Sequence, residues 1–160
     1  MALNPATAAN PIAASYLTYV ADRVPSGNYQ QTFGNSYKMY SQAGVLSAGG
    51  GTSGSENASI IINFLNTRGG NTTVTAFATM FANYWASCLL VPSGGATDVV
   101  NNAASLVSVF ESAITASIRD TDTQPYFTHL ISNIQTIALP SVVWTVTLPF
   151  PPYTRLESVS

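Results

Sequence analysis

Apolar and polar positions recur with a helical period over most of the chain. Asn10-Pro11 supplies a cap followed by proline at the first helical position. Ile12, Tyr16, Leu17, Tyr19 and Val20 then continue at helical spacing until Pro25-Ser26-Gly27. This predicts a helix over 11–23. A second helix is expected over 56–67, with Ser55 as its cap and Ile60, Ile61, Phe64 and Leu65 on one face. Arg68 suits the negative end of its dipole, and Gly69-Gly70 can take the left-handed cap. The strongest pattern lies at 72–91. Thr75, Thr79, Asn83 and Ser87 return every fourth residue as a narrow polar stripe, with Phe77, Met80, Phe81, Tyr84, Trp85, Cys88 and Leu89 beside it. Pro92-Ser93-Gly94-Gly95 ends that helix.

Thr97 or Asp98 caps a further expected helix over 98–119. Its inner face holds Leu106, Phe110, Ala113 and Ile114, and it forms an antiparallel hairpin with its predecessor. Asp120-Thr121-Asp122-Thr123-Gln124-Pro125 opens a helix over 125–138, which Pro140 closes. Residues 141–148 are β-branched and partly alternating, the pattern of a strand. Pro149-Phe150-Pro151-Pro152-Tyr153 favours an extended, polyproline-like path. Three stretches lack this clarity. Residues 1–9 are small and without period, an N-terminal arm. Residues 47–55 form a Gly/Ser-rich loop. Residues 28–47, where Tyr29, Phe33, Tyr37, Met39 and Tyr40 sit among Gln, Asn and Ser, fit irregular structure or a short strand pair. The expected fold class is mainly α. It is a helical bundle-like single domain (1–160) of about five helices, with a short C-terminal strand and extended arms at 1–9 and 149–160.

Composition adds one strong constraint. Charged residues make up 8% of 160 residues, against about 25% in typical domains. A folded monomer of 16.8 kDa exposes roughly 7,700 Å². That leaves about one formal charge per 640 Å², where typical composition gives about one per 190 Å². Either Ser, Thr, Asn and Gln cover this surface or neighbouring subunits do. The cations Arg23, Lys38, Arg68, Arg119 and Arg155 are scattered and the net charge is −2. A lone subunit therefore cannot bind nucleic acid strongly.

The residues that carry chemistry are few. Cys88 is the single cysteine, so no intrachain disulfide forms, and the nearest cations in sequence are Arg68 and Arg119. His129 is the single histidine, within a helical stretch beside Leu130. No G-x-S-x-G, C-x-x-C or H-x-x-x-H occurs, so neither a serine triad nor a metal site is expected. Asp120 and Asp122 precede a helix start, where capping explains them. Gly49-Gly50-Gly51 lacks the Lys-Ser/Thr of a phosphate loop. The N-terminus has no basic and apolar stretch of a signal peptide. Residues 74–91 approach the lower length of a membrane span, but the polar stripe through them favours a buried helix.

The C-terminal half, helical from Thr97 to Ile118 with Val142-Val143-Trp144-Thr145 beyond, resembles in layout the rod-shaped plant virus coat proteins. No specific motif is shared, and the run of RNA-facing arginines that the resemblance implies is missing. The expectation is a non-enzymatic structural subunit of a larger assembly: a coat, shell-cementing or tail component of a virus or phage virion. It would be made in a host cytoplasm, associate with copies of itself or other virion proteins, and need no cofactor, metal or small-molecule substrate. Phe150, Tyr153 and Arg155 are the expected partner contacts. The first rival is a carbohydrate- or protein-binding module in which Tyr29, Tyr37, Tyr40, Gln30 and Gln31 form a platform. The second is a membrane-active helical protein. On the first reading, removing 149–160 should leave a folded, helical protein that no longer assembles, as circular dichroism and light scattering would report.

Overall fold

The computed structural model describes residues 3–22, 28–44, 50–52, 56–68, 72–88, 90–92, 99–100, 102–118, 123–149 and 152–159. It is mostly helical, a bundle-like domain. Helices α1 (Pro5–Asp22), α2 (Asn28–Gln42), α3 (Ala58–Arg68), α4 (Val74–Ala86), α5 (Ala103–Ser117) and α6 (Thr123–Asn133) alternate with five short strands. α1 packs on α2 and α6, α2 on α3, and α4 on α5. α6 runs into a π-helical turn at Ile134–Ala138 and a 3-10 turn at Leu139–Ser141.

α1, α3, α4 and α5 each start where a short polar side chain supplies the missing acceptor. Asn4 Oδ1 accepts from the Ala6 amide at 3.1 Å, and Pro5 follows as the first helical residue. The Asn-Pro signature thus occurs twice, and the first copy starts the helix, at Pro5 instead of Pro11. Pro11 lies inside α1 at an exposed position. The expected arm at 1–9 is therefore mostly helix, with Leu3, Ala8 and Ala9 buried. Asn57 caps α3 (Ser59 amide, 3.1 Å), in place of Ser55. Thr73 caps α4 (Ala76 amide, 3.1 Å). Asn102 caps α5 (Ala104 amide, 2.9 Å), in place of Thr97 or Asp98.

Residues 28–42, expected as coil or strand, are helix α2. Tyr29, Phe33, Tyr37 and Tyr40 are spaced by four, four and three residues, which puts them on one face. The helices expected over 72–91 and 98–119 are shorter than their apolar runs. Leu90–Pro92 (β2) leaves α4 to pair antiparallel with Gly50–Thr52 (β1), within the expected 47–55 loop. Val99–Val100 (β3) precedes α5 and pairs with Val143–Pro149 (β4). Pro152–Ser158 (β5) returns along β4, with Pro149 opposite Pro152 and Trp144 opposite Glu157. The C-terminal segment is extended, as expected, but it is paired on its own chain. Its far end enters the core: Val159 is 5% exposed, and a Cβ on Gly44 would collide with its side chain. Deleting 149–160 would thus remove part of the core, and unfolding rather than a folded non-assembling chain becomes the expected result.

The core is a continuous column of rings. Tyr19 and Tyr29 stack at 5.7 Å, and Tyr29 leads to Phe33 at 6.0 Å. Phe33 contacts Phe81, which stacks on Phe110 and meets Tyr37 at 5.1 Å. Tyr37 leads through Trp85 to Trp144, the last ring, on β4. Most contacts are edge-on or tilted, the favoured arrangement of ring quadrupoles. Each fully buried ring contributes roughly 1.5–3 kcal/mol by area.

The polar tips within this column are paired. Trp85 Nε1 donates to Tyr37 Oη at 2.9 Å, and Trp144 Nε1 to the Cys88 carbonyl at 3.2 Å. Tyr40 Oη donates to Gln135 Oε1 at 2.9 Å, and Gln135 Nε2 donates to the Leu3 carbonyl at 3.3 Å. Ser41 Oγ donates to the Lys38 carbonyl, so its contact with Tyr84 Oη has the phenol as donor. Replacing Tyr37 by Phe leaves the buried Trp85 N–H without its acceptor. The expected cost is about 1–3 kcal/mol, read as a lowered midpoint in thermal or denaturant unfolding with helix content unchanged.

Candidate functional site

The structure separates the residues singled out by sequence. Cys88 is fully buried after α4, its thiol 3.3 Å from the Tyr84 carbonyl. Burial first, and then the nearby Glu56 carboxylate, push this thiol well above the usual range. A thiol so placed stays protonated and unreactive. His129 is exposed on α6. Asp120, Asp122 and Gly49 lie outside the described residues, as does Phe150. Gly50 and Gly51 are in β1. Tyr153 and Arg155 are in β5, opposite Leu148 and Val146. Among the described residues no three His, Cys, Asp or Glu side chains gather as metal ligands.

Tyr37 and Tyr40 are fully buried and hydrogen-bonded in the core, so the platform of Tyr29, Tyr37 and Tyr40 does not exist as a surface. The polar stripe on α4 faces outward, with Thr75, Asn83 and Ser87 exposed and Thr79 Oγ1 donating to the Thr75 carbonyl at 2.7 Å. Among the described residues no helix is long and apolar enough to cross a membrane.

Two features were missed in the sequence. The first is Glu56, 2% exposed just before α3. Gln42 Nε2 donates to its Oε2 at 3.4 Å, and its Oε1 has no hydrogen-bond partner among the described residues. The lone acidic residue in a Gly/Ser-rich stretch gave no sign of burial. The second is a tyrosine corner where the C-terminal end of α1 meets the N-terminal ends of α2 and α6. Tyr16 lies 5.3 Å from Tyr29 and 5.6 Å from Phe127, with Tyr19 and Tyr126 beside them. All four tyrosines are half-buried. The periodicity of α1 showed Tyr16 and Tyr19, but their meeting with α2 and α6 is tertiary. Large apolar side chains also stand exposed on separate elements: Leu17 (53%), Met39 (63%), Ile118 (55%) and Ile137 (39%).

No protein-family model, curated protein or solved structure matches this chain.

Burial also shifts the phenols. Desolvation pushes Tyr37, Tyr84, Tyr40 and Tyr29 far above the usual range, and Tyr126 in the same direction. These groups are acids held neutral by the fold. Their contribution to stability is complete below the unfolded tyrosine range, near pH 10, and is lost as pH rises through the higher folded values. Of the eight tyrosines, the three fully buried ones, Tyr37, Tyr40 and Tyr84, should form tyrosinate only together with loss of helix. An alkaline titration following tyrosinate absorbance and far-ultraviolet dichroism tests this. Complete ionisation with helix intact would refute the burial.

Proposed function

We propose that this protein is a non-enzymatic structural subunit of a larger protein assembly, a virion component such as a coat, shell-cementing or tail protein of a virus or phage. The observation that carries the reading is a charge-poor surface that leaves Leu17 on α1, Met39 on α2 and Ile118 at the C-terminal cap of α5 more than half exposed. Thr7, Asn10, Pro11, Ala14 and Thr18, exposed on α1, carry no charge. The outward residues of α5 are mainly Ser, Thr and Ala, with Glu111 half-buried among them. Such faces offer little charge repulsion and little desolvation cost when a neighbour covers them.

On this reading the protein has no catalytic residues, cofactor or small-molecule substrate. Its partners are copies of itself or other virion proteins, and it does its work in the virion or a similar extracellular assembly. Phe150, Tyr153 and Arg155, in and beside the β4–β5 hairpin, make partner contacts. Light scattering on a size-exclusion column, with negative-stain electron microscopy of the same fractions, tests the reading. Rings, tubes or defined oligomers are expected. A 16.8 kDa monomer at every concentration would refute it.

A further inference from the structure

A carboxylate taken out of water needs donors, a counter-charge or a proton to offset its lost hydration. Glu56 is 2% exposed. Gln42 Nε2 reaches its Oε2 at 3.4 Å, and its Oε1 has no hydrogen-bond partner among the described residues. Nearby protons are committed elsewhere. The Cys88 thiol donates to the Tyr84 carbonyl, 3.3 Å away. The Tyr84 hydroxyl donates to Ser41 Oγ, and Ser41 to the Lys38 carbonyl. At the start of α3, Asn57 accepts the Ser59 and Ile60 amides. Between Lys38 and Arg68 the sequence has no Lys or Arg.

The surroundings are electronegative as well. After desolvation, the Glu56 charge is among the causes that raise the Cys88 thiol and the Tyr84 phenol, so the three groups lie within electrostatic reach of one another. Gln42 is the last residue of α2, and Cys88 follows two residues after the end of α4. Glu56 thus sits by the negative ends of two helix dipoles. The other side-chain oxygens of this cluster are neutral: the Gln42 carboxamide and the hydroxyls of Ser41 and Tyr84. One carboxylate balances one positive charge. A divalent ion would leave an excess charge in the interior, and calcium affinity depends on the charge count of the ligands. Among the described residues no three His, Cys, Asp or Glu side chains come together.

We propose that Glu56 Oε1 binds a monovalent alkali cation, sodium or potassium, with neutral oxygens of the Gln42, Ser41 and Tyr84 cluster completing the site. The ion supplies the missing counter-charge and ties the segment entering α3 to the C-terminal ends of α2 and α4. It stabilises the folded chain by binding that state alone. The site does not depend on the assembly reading and goes beyond it.

Thermal unfolding of the full chain, followed by circular dichroism, tests it. The wild type and Glu56→Gln are compared in sodium chloride, potassium chloride and N-methylglucamine chloride at equal ionic strength, which holds screening constant. Glu56→Gln keeps the shape of the side chain and removes its charge. The wild-type midpoint is expected to rise with sodium or potassium, by about 3–6 °C for each tenfold increase above the dissociation constant. N-methylglucamine, too large for the site, gives no rise, and Glu56→Gln responds to none of the three. A wild-type midpoint indifferent to the cation overturns the proposal and leaves a proton as the partner of Glu56. An equal response in Glu56→Gln also overturns it, because the ion then acts elsewhere. Should Glu56→Gln not fold, the sodium-23 linewidth decides with the wild type alone. Broadening by the folded protein that disappears on unfolding in urea supports the site, and an unbroadened line overturns it.

Discussion

The aromatic column sets the terms for everything else. It runs from the tyrosine corner to Trp144 and touches α1, α2, α4, α5, α6 and β4, so no helix pair can shift without parting rings. Its members are large and amphipathic, and burying them is favourable only if each O–H and N–H finds a partner. Those partners come from distant parts of the chain: Tyr37 for Trp85, Gln135 for Tyr40, Ser41 for Tyr84, and the Cys88 carbonyl for Trp144. Packing supplies the energy, and these pairings fix a single register among surfaces that apolar contact alone would let slide.

The same economy explains the surface. Among the described residues Glu56 is the buried carboxylate, and Gln42 gives it one long hydrogen bond. Solvent-facing helix positions are filled by Ser, Thr, Asn and Ala, which are compatible with water and also with a covering neighbour. Serine and threonine hydroxyls commonly bond back to their own helix, as Ser112 does to Ser108 and Thr136 to Ser132, so they ask little of solvent.

Helical class and most elements were legible in the sequence because periodicity is local. α4, α5 and α6 show their inner faces directly. α2 did not, since Tyr, Asn and Ser have weak helix preference and its interior is built from tyrosines, which also suit strands. The start of α1 was masked by a repeated Asn-Pro. The ends of α4 and α5 were overrun because Leu90–Pro92 and Val99–Val100 continue the apolar run while changing to strand, a change set by cross-strand partners far along the chain. The hairpin return at 152–158 depends likewise on β4. For the candidate site, residue identities were visible and proximity was not. Tyr153 and Arg155 could be chosen by position, whereas the corner of Tyr16, Tyr19, Tyr29 and Tyr126 exists only once three helix ends meet.

The junction of Trp85 with Trp144 has an optical consequence. Their rings lie 6.1 Å apart at 69°, both wholly out of solvent. Two indoles at that separation and inclination couple their electronic transitions, so the pair gives a signed band that neither ring gives alone. These are the chain's two tryptophans, and one belongs to α4 while the other belongs to β4. The band therefore reads the seating of the hairpin on the bundle, separately from the helical backbone. A state with full helix signal and no coupled-indole band is one in which the hairpin has lifted away while the helices remain together.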